Sequence, residues 1–559
     1  MSSQRTSSRR GARSRVAAAL FRKLLNLPKP SGGYTIDREI RIPMHDGAEL
    51  VAEHWAPTGT PAGTVLVHSP YGWNAMFSAV YGEPYAARGY HVVLSSARGT
   101  FGSGGDFDPM MNEVDDTAAV VEWLRDQPWF EGCFAMVGAS YLGFTQWATL
   151  MKPPPELAAV VIQVGFHDLA QTLREGGAFK LNDFLAWSEF VARQEEYGLL
   201  RGIVRLATVA KRIAPAFEVL PLGRGAAQVL GDGAPWFNRW LEHVNLDDPF
   251  WSRARLGEAL DRVQVPVLLH TGWMDLFLDQ TMEQYDRLSK RGAEVALTVG
   301  PWQHNDIEGK AATQLVPEAL DWLDRHLGGA ANDRRSAPVK VFVTGAAQWR
   351  DFSQWPPPAE PLTLRPHADG TLRTSTVDAG TATFTFDPAH PTPTAGGRLL
   401  TSAGGYRDDS ALSRRDDVLT FTGAPLLEPL EIIGRPVVTL DHTTDNPDAD
   451  LFVRISEVDA KGKSHNVTDG FVRLGTGEPE GRTTIELDPT AHRFAAGTRI
   501  RLIVAGGSFP RFDRNLGTGG NPLTSTDLAP SSRTIALNGS EVRLPVFGGR
   551  GSATGSPAV

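Results

Sequence analysis

Six short apolar runs set the main limit on what this chain can fold into: TVLVHS, HVVLSS, CFAMVG, AAVVIQVG, VPVLLH and EVALTVG. Each is too short for a helix and apolar nearly throughout, so as a strand it buries both faces. Helical stretches separate them. The pattern predicts a helix over Glu113–Asp126, another starting near Tyr141, and one from about Ala312 to Leu327. Strands and helices in alternation give βαβ units, hence a largely parallel sheet covered by helices. Ahead of them, REIRIP and AELVAEHW alternate around His45–Asp46–Gly47 as an antiparallel hairpin.

The rhythm breaks twice. Between about Asp168 and Trp251 the chain reads as helices (LNDFLAWSEFVARQEEYGLL, VRLATVAKRIA, PWFNRWLEHV) with no convincing strand. After Gly328–Arg335 it turns to short alternating segments such as VKVFVTG, PVVTLDHT, LFVRISEV and RIRLIVAG, divided by turn clusters. That texture predicts a β-sandwich or barrel. The expected fold class is therefore α/β, with an all-β domain added. An α/β domain spans 33–168 and 260–330, a helical insertion 169–259, and the all-β domain 336–550. Residues 1–32 form a basic tail, expected to be disordered.

Composition removes several functions. With 41 % hydrophobic residues and a net charge of −9 over 559 residues, the chain is neither mainly disordered nor basic enough to bind nucleic acid. The single cysteine, Cys133, excludes an intrachain disulfide framework, and no Cys/His spacing suggests a metal site. No cofactor is called for. The first 30 residues carry eight basic side chains and no acidic one, and contain the apolar stretch Val16–Phe21, which Arg22–Lys23 interrupts. It is too short for a membrane span or a signal-peptide core, so no stable membrane insertion is expected and the cytoplasm is the default location. An amphipathic helix over Val16–Leu27, an organellar targeting role or contact with a membrane surface stays open. So does the oligomeric state, a homodimer included.

Gly138–Ala139–Ser140–Tyr141–Leu142–Gly143 lies directly after one predicted strand and before a helix. A serine on a tight strand-to-helix turn has its hydroxyl forced outward, over a helix N-terminus that favours negative charge. The pattern G-x-S-x-G is not met, because Leu142 stands at the last glycine. Serine is a weak nucleophile without a histidine to take its proton and a carboxylate to orient that histidine. In α/β-hydrolases these follow in the order Ser, Asp, His, each after a strand. Asp275 follows VPVLLH and His304 follows EVALTVG, at spacings of 135 and 29 residues. Asp279 is a rival acid, and His270, His45 and His167 are rival bases, each also readable as a packed or surface residue. The backbone N–H of Tyr141, next to the nucleophile, is a ready oxyanion donor.

These stretches resemble a known family. MHDGAEL, SPYGW, ARGTFGSGGDF, DQPWFEGCFAMVGASYLGFTQW, DDPFW, HTGWMD, VGPWQH, VFVTGAAQWRDFSQWPPP and GGSFPRFDRN are similar to the cocaine-esterase-like (CocE/NonD) branch of the X-Pro dipeptidyl-peptidase hydrolases, over about residues 36–550. The resemblance implies an α/β-hydrolase with a helical cap and a C-terminal jelly roll. It implies Ser140, Asp275 and His304 as the triad and the phenol of Tyr71 as the second oxyanion donor. Ser96 departs from the family, whose members commonly carry Asp there, which puts the ion pairing of Arg98 in question.

A cap over such a site offers an apolar pocket, for which Phe166, Phe179, Phe184, Trp187 and Phe277 are the candidates. Glu175, Asp183, Glu189, Glu195 and Glu196 could hold a substrate ammonium, but their spacing shows no convergence. The expected activity is hydrolysis of a small-molecule ester or amide through an acyl-enzyme. Alternatives are an X-Pro dipeptidyl-peptidase, an α-amino-acid ester hydrolase, and a catalytically silent scaffold whose jelly roll binds a glycan or protein.

Overall fold

The computed structural model describes residues 19–330, 335–377, 379–475 and 480–548. At its centre is a ten-stranded sheet. Its members are β1 (Tyr34–Pro43), β2 (Glu49–Pro57), β3 (Thr64–Ser69), β4 (His91–Ser96), β5 (Phe134–Ala139), β6 (Leu157–Gln163), β7 (Val267–Met274), β8 (Val295–Gln303), β9 (Val339–Val343) and β10 (Gln348–Phe352). The order is β1-β2-β4-β3-β5-β6-β7-β8-β9-β10. From β4 to β9 every pairing is parallel, and the antiparallel pairs sit at the two ends. Every residue of β3, β4, β5 and β7 is buried, as continuous apolar runs between helix layers require.

Two features differ from the sequence-based expectation. VKVFV and QWRDF do not open the C-terminal domain; as β9 and β10 they extend the ten-stranded sheet beside β8. Alternation marks a half-buried strand but does not say which sheet it joins. The second difference is the tail. Residues 1–18 lie outside the described residues. Residues 19–32 are not a solvated appendage: a helix runs over 19–24, and Leu27 is buried in the main core.

The helical insertion carries Leu181–Val191, Leu199–Phe217, Leu222–Leu230 and Pro235–Glu242. Buried Glu189 ties the first two together by pairing with Arg205 and, at 2.6 Å, with Arg212. Beyond β10 the chain forms a β-sandwich, with the long strand Ser531–Val546 pairing four neighbours in one sheet. Val418–Thr422, Arg499–Ala505, Asp450–Val458 and Ser464–Arg473 form the other. Alternate residues such as Val438, Leu440, Val453, Leu502 and Val542 fill the space between.

Where sandwich, cap and sheet domain meet, buried Arg398 reaches Glu175 at 3.0 Å, Asp279 at 2.8 Å and Asp488 at 2.5 Å. Arg511 links Glu175 to Asp469 at 3.0 and 2.8 Å. Removing one cation from such a cluster strands carboxylates in a low dielectric, which costs about 3–5 kcal/mol. Arg398→Met is therefore expected to lower the urea midpoint clearly, whereas a surface pair such as Arg262–Glu258 is worth about 0.5 kcal/mol.

Candidate active site

Ser140 directly follows β5 and caps the helix Tyr141–Leu150 with φ 60° and ψ −120°, a backbone conformation rare for any residue but glycine. Holding it there costs about 1–3 kcal/mol, and the packing around it supplies the constraint. A Cβ on Gly138 would lie 2.3 Å from that of Leu142, and one on Gly143 only 2.7 Å from the Cα of Gly165. This explains why the second glycine stands three residues after the serine. The helix abuts the end of β6 at position 143, while Leu142 is buried.

β7 delivers Asp275 and β8 delivers His304 to the same sheet edge. His304 Nε2 lies 2.9 Å from Ser140 Oγ, and Nδ1 lies 2.6 Å from Asp275 Oδ1. The other carboxylate oxygen of Asp275 accepts from Thr271 Oγ1 and the Phe277 N–H, both at 3.1 Å. A carboxylate only accepts, so the imidazole proton sits on Nδ1 and the Nε2 lone pair faces the serine hydroxyl.

The rivals lie elsewhere. Asp279 pairs with Arg398 and Arg435. His270 is buried against Gln163, His167 contacts Gln284, and His45 pairs with Glu122 at the surface. Arg98 keeps its ion pairs despite Ser96, gripping Asp116 with two nitrogens and Asp46 with a third.

Tyr71, after β3, interacts with the Ser140 hydroxyl and accepts the indole N–H of Trp187 at 3.0 Å. Desolvation pushes its phenol well above the ordinary value, so it stays protonated and able to donate. Tyr141 opens its helix, where a backbone N–H has no intrahelical acceptor. Its own phenol points away and takes the Met110 N–H at 3.0 Å while donating to Glu113. Burial raises the Glu113 carboxyl to about 7.

Two spaces flank Ser140. A small one is lined by Phe166, Phe184, Trp187, Phe277, Leu400 and Asp183, a larger one of about 680 Å³ by Trp73, Phe77, Phe190 and others. Phe179 lines neither. It is buried against Phe184 and Phe237, and its N–H donates to Asp513 of the sandwich at 2.8 Å. Phe179 belongs to the short strand Ala178–Phe179 that precedes the cap helix, so its side chain does not share the face that carries Phe184 and Trp187.

Sequence reasoning missed Leu400, which reaches the site from the sandwich and accepts from Asn305 Nδ2 at 2.7 Å. It also missed Glu308, beside His304 and hydrogen-bonded to Tyr81 at 2.6 Å. Among the five cap carboxylates, Glu175 and Glu189 are ion-paired and Glu195 accepts the Phe101 N–H. Asp183 Oδ1 takes the Leu400 N–H at 2.8 Å, while buried Oδ2 has no hydrogen-bond partner among the described residues. Burial raises this carboxyl to about 6. Nor do the described residues contain a His/Cys/Asp/Glu cluster fit for a metal ion, or a helix long and apolar enough to cross a membrane.

A serine at a strained strand-to-helix turn, backed by histidine and aspartate on the next strand ends, marks the hydrolase class of α/β folds. The X-Pro dipeptidyl-peptidase (S15 family) model matches residues 46–306, and that of the X-Pro dipeptidyl-peptidase C-terminal non-catalytic domain matches residues 332–542. Cocaine esterase of Rhodococcus sp. (strain MB1 Bresler) is 30 % identical over 544 residues, covering 88 % of this chain and 94 % of the relative. An aminopeptidase from a marine sediment archaeon (Thaumarchaeota) superposes with a TM-score of 0.79 at 22 % identity over 93 % of this chain and 98 % of that one. An α-amino acid ester hydrolase does so with 0.77 at 22 % and the same coverage. The chain belongs to the X-Pro dipeptidyl-peptidase (S15) family and is a hydrolase of the esterase or peptidase type.

Proposed function

We propose that the protein hydrolyses small-molecule esters through a covalent acyl-enzyme. The observation that carries this is the unbroken chain from Ser140 through His304 to Asp275, at 2.9 and 2.6 Å. Ser140 Oγ attacks the ester carbonyl as its proton passes to His304 Nε2, and the carbonyl oxygen becomes an oxyanion held by the Tyr71 phenol and the Tyr141 N–H. Collapse breaks the ester C–O bond, and His304 returns the proton to the departing alcohol. Water then repeats the sequence, releasing acid and free serine. A relative named as a cocaine esterase supports an ester rather than a peptide bond.

A fluorophosphonate probe is expected to label Ser140 stoichiometrically, with the modified peptide identified by mass spectrometry. Absence of labelling on folded protein would favour the silent scaffold. Tyr71→Phe removes one oxyanion donor and is expected to lower kcat by about 10²–10³-fold. Equal kcat in the two proteins would remove the phenol from the reaction.

The free oxygen of Asp183 favours a second reading, an ester bearing a free amine. Above about pH 6 Asp183 is ionised and attracts an ammonium; below, it is neutral. On this reading the preference for an aminoacyl ester over its des-amino analogue rises from pH 5 to 7 in the wild type and is flat in Asp183→Asn. A flat ratio in both leaves the simple ester as substrate.

A further inference from the structure

The basic tail was expected to be a solvated appendage, yet its described part sits against the catalytic cavity. Phe21 and Leu25, one helical turn apart and so on one face, line the space of about 680 Å³ that also holds Ser140 and His304. Leu24 sits at its rim, 74 % exposed. The chain shapes this segment locally. Asn26 takes a positive φ of 49°, its N–H bonds Lys23 O, and the Leu27 N–H bonds Arg22 O at 2.9 Å. That pair of bonds ends a helix in a left-handed cap and turns Leu27 into the core. Pro28 follows and prevents any continuation.

Three further anchors hold the segment to the hydrolase domain. Arg22 pairs with Glu83 at 2.6 Å, Thr313 donates to Leu25 O at 2.6 Å, and Ser31 donates to Ala87 O at 2.8 Å. Trp73, Phe77 and Phe190 contribute other apolar parts of the same cavity. An apolar chamber of this size, completed by a segment outside the hydrolase domain, suits a chain longer than an acetyl group.

We propose that residues 19–27 are a wall of the substrate site and make Phe21 and Leu25 specificity-determining residues for esters with an extended apolar chain. This rests on the esterase reading above. The test uses the full-length protein with Phe21→Ala and Leu25→Ala combined, leaving Arg22 and Leu27 in place. Two substrate series are compared, p-nitrophenyl acetate against octanoate for the acyl side, and ethyl against octyl acetate for the alcohol side.

The expected result is a loss of about tenfold in the long-over-short ratio of kcat/KM in one series, from the apolar contact removed. The kcat/KM of the short-chain ester should fall by much less than that of the long-chain ester. A uniform fall across chain lengths, or an unchanged ratio in both series, would overturn the proposal. Should the double variant fail to fold, Phe21→Trp narrows the chamber instead and must shift preference toward shorter chains; an unshifted preference overturns it equally. Wild-type turnover of the acetate, and its loss in Ser140→Ala, reports on the esterase reading separately.

Discussion

Ser140→Ala is expected to lower turnover by about 10⁶-fold while the protein stays folded. The magnitude follows from the loss of the covalent route as a whole, since neither His304 nor Asp275 has a substitute acceptor for the acyl group. Stability should change little, because Ser140 makes its structural contact through the backbone, its N–H donating to Gln163 O at 2.9 Å. Alanine meets the same positive-φ strain and keeps the same helix start. Steady-state assays on an aryl ester, with circular dichroism to verify the fold, provide the check. Turnover within a hundredfold of wild type would remove Ser140 from the mechanism.

Asp275→Asn is expected to cost about 10⁴-fold in kcat, out of proportion to exchanging one oxygen for an amide. The surroundings dictate which way that amide must face. Thr271 Oγ1 and the Phe277 N–H both donate to one carboxylate oxygen, so the amide oxygen stays on their side. The NH₂ group then points at His304 Nδ1 and demands a lone pair there. The imidazole proton moves to Nε2, facing the serine hydroxyl, and the base can no longer accept. Asp275→Asn should therefore fold like wild type and bind fluorophosphonate far more slowly. Labelling at the wild-type rate would show that the carboxylate does not set the tautomer.

The parallel sheet and the placement of the Ser, Asp and His candidates at its strand ends were legible because local chemistry dictates them. Fully buried strands must be apolar throughout, and residues that follow consecutive strands emerge on one edge. That logic reaches Ser140, Asp275 and His304, which the fold brings within hydrogen-bonding distance. It does not reach properties that depend on partners distant in sequence. VKVFV alternates equally well on either sheet, and only tertiary pairing joins it to β8. Phe179 and Phe184 are five residues apart, yet Phe179 sits on the short strand Ala178–Phe179 against the sandwich while Phe184 sits on the cap helix and lines the cavity. Arg98 finds Asp116 and Asp46, eighteen residues after it and fifty-two before it, so Ser96 says nothing of its pairing. The segment at 19–27 is read with the charged tail because the first 30 residues carry eight basic side chains and no acidic one, which masks the apolar side chains Phe21, Leu25 and Leu27 that dock it.

Leu400 belongs to the sandwich but stands in the chamber beside Ser140, fastened to Asn305 next to His304 and to Asp183 of the cap. The two halves of this chain are consequently not interchangeable parts. A hybrid that grafts the sandwich of a distant homologue onto this hydrolase would inherit a foreign side chain at the position of Leu400. Selectivity would then track the donor of the graft, even with every residue of the triad left native.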